Sequence, residues 1–441
     1  MNQTQSFCPV CLEVLPARVM EMDRGAVLEK SCPGHGFFSA VVSPDVDLYK
    51  RLSKGERKVT GPWTPNVDAV RGCPHDCGLC PEHEQRTCVA ILEITSRCDL
   101  ECPVCLASSF AKGRDLEQDA IERALRALLA SQGQVASVQI SGGEPTQHRD
   151  LMEIIRCAAS LGFNKLEMYS NGLALAADPR LAVKLRDAGL TCVYLQMDGL
   201  TSEVSRWLRG KDLIQDKLRA IEHCSKADLQ VVLSVTVVPG LNDQALWEMV
   251  RFGMAEKLTG VNFQPLTLSG RVPSHMARGP ERFTVAHFLR GIEEQSGGRI
   301  LASDLIPIPC PDTRCSLLSY ALVHGGEIIP LTRLLGEGAL FEQTARLNDW
   351  ETLIRHTSCE AWGCGCSEAP CERQNEIGAL MADSDFFSIG FHGMMDAYDF
   401  DVARVRRCCV HELTSEGKRI PFCLYNIKHR QTGTEHAETG T

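Results

Sequence analysis

The chain is 441 residues long, with a formal net charge of −10 and 44% hydrophobic residues, a composition that excludes a disordered polymer and leaves no overall basic field for nucleic acid. Its length exceeds what one ordinary core organises, so two or three domains are expected. The N-terminus MNQTQSFCPVC has neither a cationic nor an apolar leader region, and no apolar run approaches the roughly 18 residues that span a bilayer. The reading is therefore cytoplasmic with no transmembrane segment, and in a reducing compartment the 22 cysteines are more readily metal ligands than disulfides.

Residues 1–87 are rich in Cys, Pro and Gly, show no sustained period, and read as a metal-organised region. Cys8-Pro-Val-Cys11 and Cys32-Pro-Gly-His35 form two knuckles, C-x2-C and C-x2-H. Four N/S ligands from two tight turns suit a tetrahedral zinc or a mononuclear, rubredoxin-like iron. If His35 is only a turn residue, Cys88 or another cysteine supplies the fourth ligand. Cys73, Cys77 and Cys80 in GCPHDCGLCPEH have the spacing C-x3-C-x2-C, and are read with Cys88 as one auxiliary iron–sulfur set.

From Val89 the texture changes. Apolar runs at Val89–Ile94, Val135–Ile140, Leu166–Tyr169, Cys192–Met197, Gln230–Val238 and Gly260–Pro265 alternate with helix-sized gaps. In the first gap, AIERALRALLA puts Ile121, Leu125, Leu128 and Leu129 on one helical face. Such alternation implies an α/β fold of parallel strands with helical crossovers, an open sheet or a barrel, with six units over residues 88–275.

After Gly270 the alternation is lost, and 276–441 reads as a cysteine-rich C-terminal domain. Cys310, Cys315, Cys409 and Cys423 form a plausible second auxiliary [4Fe–4S] set. Cys359, Cys364, Cys366 and Cys371 in SCEAWGCGCSEAPC form a further set that holds iron–sulfur, zinc or nothing. Cys157, Cys192 and Cys224 read as buried structural thiols, and Cys408 is left over.

Cys98, Cys102 and Cys105 in TSRCDLECPVC repeat the C-x3-C-x2-C spacing directly after the first strand. Three thiolates hold three corners of a [4Fe–4S] cube and leave one iron open. Gly142-Gly143-Glu144-Pro145 follows the second strand, Ser170-Asn171-Gly172 the third, Asp198-Gly199 the fourth and Pro239 to Asn242 the fifth, while Gln264-Pro265 ends the sixth. In parallel barrels the C-terminal strand ends share one face, where reactive groups collect. Spacing alone does not separate this triad from Cys73, Cys77 and Cys80; the preceding strand and the following GGEP do.

This constellation resembles the radical S-adenosylmethionine (SAM) superfamily. The resemblance implies a partial (β/α)6 TIM-like barrel, a [4Fe–4S] cluster on Cys98, Cys102 and Cys105, and SAM bound through the open iron. It also implies that Gly142, Gly143, Glu144 and Pro145 hold the methionyl amino group, and that Asn171, Asp198, Asn242 and Gln264 take part in holding the rest of SAM. For Asn171-Gly172 and Asp198-Gly199, ordinary turn chemistry competes with this role. Val104 stands where the superfamily usually has an aromatic residue.

Longer stretches, among them CPVCLEVLPARV, CPHDCGLCPEH, LQMDGLTSEVSRWLRG and FHGMMDAYDFD, resemble the class D radical SAM methylases that act on 7,8-dihydro-6-hydroxymethylpterin and the related tetraether lipid synthases. The block Cys359 to Cys371 has no match in that resemblance. The resemblance implies an enzyme that generates a 5'-deoxyadenosyl radical to attack an unactivated carbon, reduced by a donor such as flavodoxin or ferredoxin. The substrate is then a small pterin-like molecule, or a lipid in the synthase reading. A peptide-modifying maturase is a second enzymatic reading. A multi-cluster electron carrier or zinc-organised regulator would explain the cysteines but not the strand-end motifs.

Overall fold

The computed structural model describes residues 2–55, 63–273, 276, 282–308, 310–335 and 372–430. At the N-terminus β1 (Asn2–Phe7), β2 (Val14–Met22), β3 (Gly25–Cys32) and β4 (Gly36–Ser43) pair in order as an antiparallel meander. One face buries Ala17, Val19, Ala26 and Leu28 against Tyr49 of the helix Val46–Ser53. That helix starts where the Asp45 carboxylate accepts from the Leu48 N–H at 2.8 Å, a side-chain cap for an otherwise orphaned donor. The sequence hides this sheet because strands such as NQTQSF carry little apolar signal and metal knuckles interrupt the period.

The six expected strands are all present: β5 (Val89–Thr95), β6 (Ser137–Gly142), β7 (Leu166–Ser170), β8 (Cys192–Gln196), β9 (Gln230–Val237) and β10 (Gly260–Pro265). Each is parallel to the next, with crossover helices that include Gln118–Gln132, Leu151–Ser160 and Ile214–Lys226. Beyond them come β11 (Ile306–Pro307), β12 (Ser316–His324), β13 (Glu327–Pro330), β14 (Asp385–His392), β15 (Val410–Leu413) and β16 (Arg419–Pro421). β14 lies parallel to β10, and β15 lies parallel to β5. The C-terminal segment thus extends the parallel sheet at both edges, while β12 and β16 pair antiparallel outside them. The strand–helix alternation stops after Gly270 because β12 and β13 form an antiparallel hairpin, which needs no crossover helix.

The two ends of the sheet curl toward one another. Cys310, between β11 and β12, packs with Cys88 and Cys409, which precede β5 and β15. Gln85 Nε2 also donates to the Cys310 carbonyl at 2.9 Å. The two faces of this wall differ. Alternate residues such as Leu92, Ile140, Met168, Leu195, Leu233 and Phe263 form one apolar core. Their neighbours, which a period of two directs to the inside, are mostly polar and include Glu93, Gln139, Tyr169, Gln196, Ser234, Asn262 and Gln264, with Ile91 and Val232 as apolar exceptions. Among the described residues no helix is long and apolar enough to cross a membrane.

Candidate active site

Leaving β5, the chain turns into the loop that carries Cys98, Cys102 and Cys105. Its two arms are stitched together by Cys98 N–H to Phe110 O at 3.0 Å and Ser96 N–H to Arg114 O at 2.9 Å. The three cysteines pack in one cluster with Leu100, Leu173 and Leu213. Arg271, in the segment after β10, fixes the far side of the loop. Its backbone exchanges hydrogen bonds with Cys105 at 2.9 Å in both directions, its guanidinium donates to the Cys102 and Ser109 carbonyls, and it stacks over Phe110 at 4.4 Å. Burial pushes the Cys98 thiol up to about 12. A thiolate there needs a cation to hold its charge.

The two glycines have a defined spatial reason. A Cβ on Gly142 would lie 2.1 Å from the Thr95 carbonyl, and one on Gly143 2.1 Å from the Arg97 carbonyl. Without side chains the end of β6 lies flush against the exit of β5, with Gly143 N–H bonded to Thr95 O at 2.7 Å and Glu144 N–H to Arg97 O at 2.8 Å. Gly142 also sits at φ +129°, a conformation that glycine adopts without penalty. Pro145 opens the short 3-10 turn Pro145–Gln147.

Several side chains expected at the cofactor are engaged by the protein itself. The Glu144 carboxylate is fully buried and accepts from Thr146 Oγ1, Ser170 Oγ and Asn171 N–H at 2.8, 2.9 and 2.7 Å, tying the ends of β6 and β7 together. Asp198 makes a two-pronged ion pair with Arg209 at 2.7 and 2.8 Å and accepts from Thr236 N–H at 2.9 Å. Asn242 donates to the Asp198 and Thr236 carbonyls and accepts from Val238 N–H, so it braces the ends of β8 and β9. Asn171 donates to Asp99 Oδ1 at 2.6 Å, with its amide 4.0 Å from Cys98 Sγ. Gln264 makes a long contact to Ser234 Oγ at 3.5 Å and hydrogen-bonds with the Tyr169 side chain.

The sequence pattern does not single out Arg209. It ends the helix Ser202–Arg209 and donates to the Val104 carbonyl, Thr236 Oγ1 and Asp198, so one guanidinium joins the cysteine loop to β8 and β9. It also lies beside Cys102 and lowers the cost of a thiolate there, although burial dominates and the Cys102 thiol is raised. Lys217 donates to Gln196 Oε1 at 3.1 Å and to the Asn171 carbonyl. Burial pulls it down to about 8.

The N-terminal knuckles meet as their spacing requires. Ligand atoms of Cys8, Cys11, Cys32 and His35 all lie within 4.8 Å of one another. Burial opposes a charge on Cys8, yet the Cys11 and Val10 N–H groups bring its thiol down to about 7.

The outlying thiols are grouped differently from their spacing. Cys73 and Cys77 stay in contact and Cys80 is close to Cys73, but Cys88 packs with Cys310 and Cys409. The reason is the β15–β5 pairing, which sets the Cys88 N–H on the Cys409 carbonyl at 2.8 Å. Cys315 and Cys423 instead keep company with Cys408. The sequence signal for this split is the adjacent Cys408-Cys409 pair, whose two thiols join different groups. Arginines attend these groups: Arg406 beside Cys73, and Arg404 donating to Cys315 Sγ at 3.2 Å. Cys359, Cys364, Cys366 and Cys371 lie outside the described residues.

The family model for the radical SAM superfamily matches residues 92–253. A 7,8-dihydro-6-hydroxymethylpterin dimethyltransferase of Methanocaldococcus jannaschii is 32% identical over 98% of this chain and 94% of its own length. The chain belongs to the radical SAM superfamily. A second family model, the HMPTM N-terminal zinc ribbon domain, covers residues 1–44 of this radical SAM enzyme. A GTP 3',8-cyclase of Marinobacter nauticus is 27% identical over 42% of this chain and 55% of the cyclase, so that match spans about half of the relative. Among solved structures, Streptococcus suis SuiB bound to S-adenosylmethionine aligns at a TM-score of 0.39 and 17% identity, covering 48% of this chain and 47% of that one.

Superfamily membership implies a [4Fe–4S] cluster and SAM. The donor set fits them: three thiols on one loop, a glycine-lined strand end where a Cβ would collide, and a guanidinium against Cys102.

Proposed function

We propose that this radical SAM enzyme methylates a small polar heterocycle of the pterin type, with the new carbon drawn from a methylene-folate type donor. When bound, the cluster supplies an electron that splits SAM into methionine and a 5'-deoxyadenosyl radical, the hydrogen-abstracting species no side chain can replace. Cys98, Cys102 and Cys105 are its proposed ligands. Gly142 and Gly143 give SAM close access to backbone, and Asn171 and Gln264 are the strand-end side chains best placed to meet it. Glu144, Asp198, Arg209 and Asn242 position these groups by locking the strand ends. The thiol sets around Cys73, Cys88 and Cys315 serve as routes for electrons from a flavodoxin- or ferredoxin-like donor, and Cys8, Cys11, Cys32 and His35 hold zinc or a single iron.

The observation that carries the substrate reading is the polar inner face of the barrel. Glu93, Gln139, Tyr169, Gln196, Ser234, Asn262 and Gln264 alternate with the apolar outer residues, whereas a tunnel for alkyl chains needs apolar lining. The near full-length similarity to a pterin dimethyltransferase supports the same reading. The test is anaerobically reconstituted enzyme with dithionite, SAM, a methylene-folate donor and 7,8-dihydro-6-hydroxymethylpterin. A pterin product heavier by one CH2 is expected. Product from a lipid pool and none from the pterin would reverse the assignment.

A further inference from the structure

The inner wall carries a carboxylate that the fold leaves unsatisfied. Glu412 lies on β15 beside Ile91 of β5. Its outward neighbour Leu413 joins the apolar core, so Glu412 faces inward. It is 1% exposed. The Glu93 backbone N–H comes near and eases its charge slightly, but neither carboxylate oxygen completes a hydrogen bond. Burial, and then the charge of Glu93, push its carboxyl well up. An unpaired buried carboxylate costs stability, and groups of this kind call for a role.

The surroundings define what would satisfy it. Glu93 on β5 is held by Arg430 at 3.0 Å and by Tyr425 Oη at 3.3 Å, both from the C-terminal helical segment. Arg430 also feels the Glu412 charge. Arg430 and Glu93 are the more exposed members of the patch, at 12% and 19%. The patch therefore offers a guanidinium donor next to a carboxyl group whose oxygens complete no hydrogen bond, and which in its ionised form presents acceptors on both oxygens. A 2-amino-4-oxopyrimidine ring presents the complement in one plane: a carbonyl acceptor, a ring N–H and an exocyclic amine.

We propose that Glu412 is the residue that recognises the 2-amino and ring N–H edge of a pterin substrate, with Arg430 meeting the 4-oxo group; this rests on the pterin reading of the site. Equilibrium dialysis of the anaerobic holoenzyme against 6-hydroxymethylpterin, and against its 2-oxo analogue 6-hydroxymethyllumazine, tests it. Wild type should bind the pterin about 10- to 100-fold more tightly than the lumazine, whose second carbonyl faces the carboxylate. Glu412→Gln, which sets an amide N–H against a ring N–H, should erase that preference. If wild type binds both ligands equally, Glu412 does not read this edge, whether or not the variant folds. If wild type prefers the pterin and Glu412→Gln, with unchanged iron content, keeps the preference, the assignment to Glu412 fails while the pterin reading stands. If wild type cleaves SAM but binds no pterin, the pterin reading and this inference fall together.

Discussion

The N-terminal knuckles and the barrel triad both present soft ligands, yet they are built in opposite ways. Cys8, Cys11, Cys32 and His35 come from two turns of one small sheet and converge within 4.8 Å, a closed set of four suited to a structural ion. Cys98, Cys102 and Cys105 come from a single loop and stop at three. That loop is braced by distant groups: the glycines at the end of β6, Arg209 beyond β8 and Arg271 beyond β10. A set of four can close locally, whereas the three-thiol loop is braced from outside by groups on other strands.

The most drastic way to test this contrast is Cys102→Ala, which should abolish dithionite-driven formation of 5'-deoxyadenosine. Retained cleavage would move the SAM site to Cys73, Cys77 and Cys80. Cys11→Ala should instead cost one zinc or mononuclear iron and leave the [4Fe–4S] absorbance in place; a loss of cluster iron would erase the distinction between the two regions.

External bracing has its own signature. Removing the guanidinium in Arg209→Leu leaves Asp198 buried without its counter-ion, and should lower unfolding stability by about 3–5 kcal/mol in denaturant titration. An effect within the noise would mean that Asp198 finds another partner. Gly143→Ala drives a methyl onto the Arg97 carbonyl, a clash expected to cost about 1–3 kcal/mol and to reduce iron bound at the triad. Normal iron and stability would show that the loop yields freely.

The smallest expected effect concerns pH. Burial holds His83 and His392 down to about 4, against roughly 6.5 in an unfolded chain. Both are neutral in the fold, so the unfolded chain takes up protons first as pH falls, and stability present above 6.5 is lost progressively toward 4. The thermal midpoint should drop between pH 7 and pH 5. A midpoint that rises on acidification would contradict the burial of these rings.

Chain distance explains why the knuckles and triad are legible in the sequence while the outer thiols are not. Cys8 with Cys11, Cys32 with His35, and the three cysteines of the triad are each joined by a few residues of turn, so their spacing already fixes their geometry. Cys88, Cys310 and Cys409 are brought together by the pairing of β15 with β5 and the curl of the sheet, and nothing near Cys88 announces either. Glu144, Asp198 and Asn242 lie at the strand ends where the sequence places them, but their hydrogen bonds belong to one another's strands.

Sequence by itself determined the six parallel strands and the ordering of motifs at their C-terminal ends, because alternation and short spacing are local properties of a chain. Tertiary structure alone decided that β14 and β15 flank those strands, that three scattered cysteines form one group, and that Glu412 faces inward with its carboxylate unsatisfied. Each depends on segments hundreds of positions apart meeting across a curled sheet, and local pattern carries no record of such meetings.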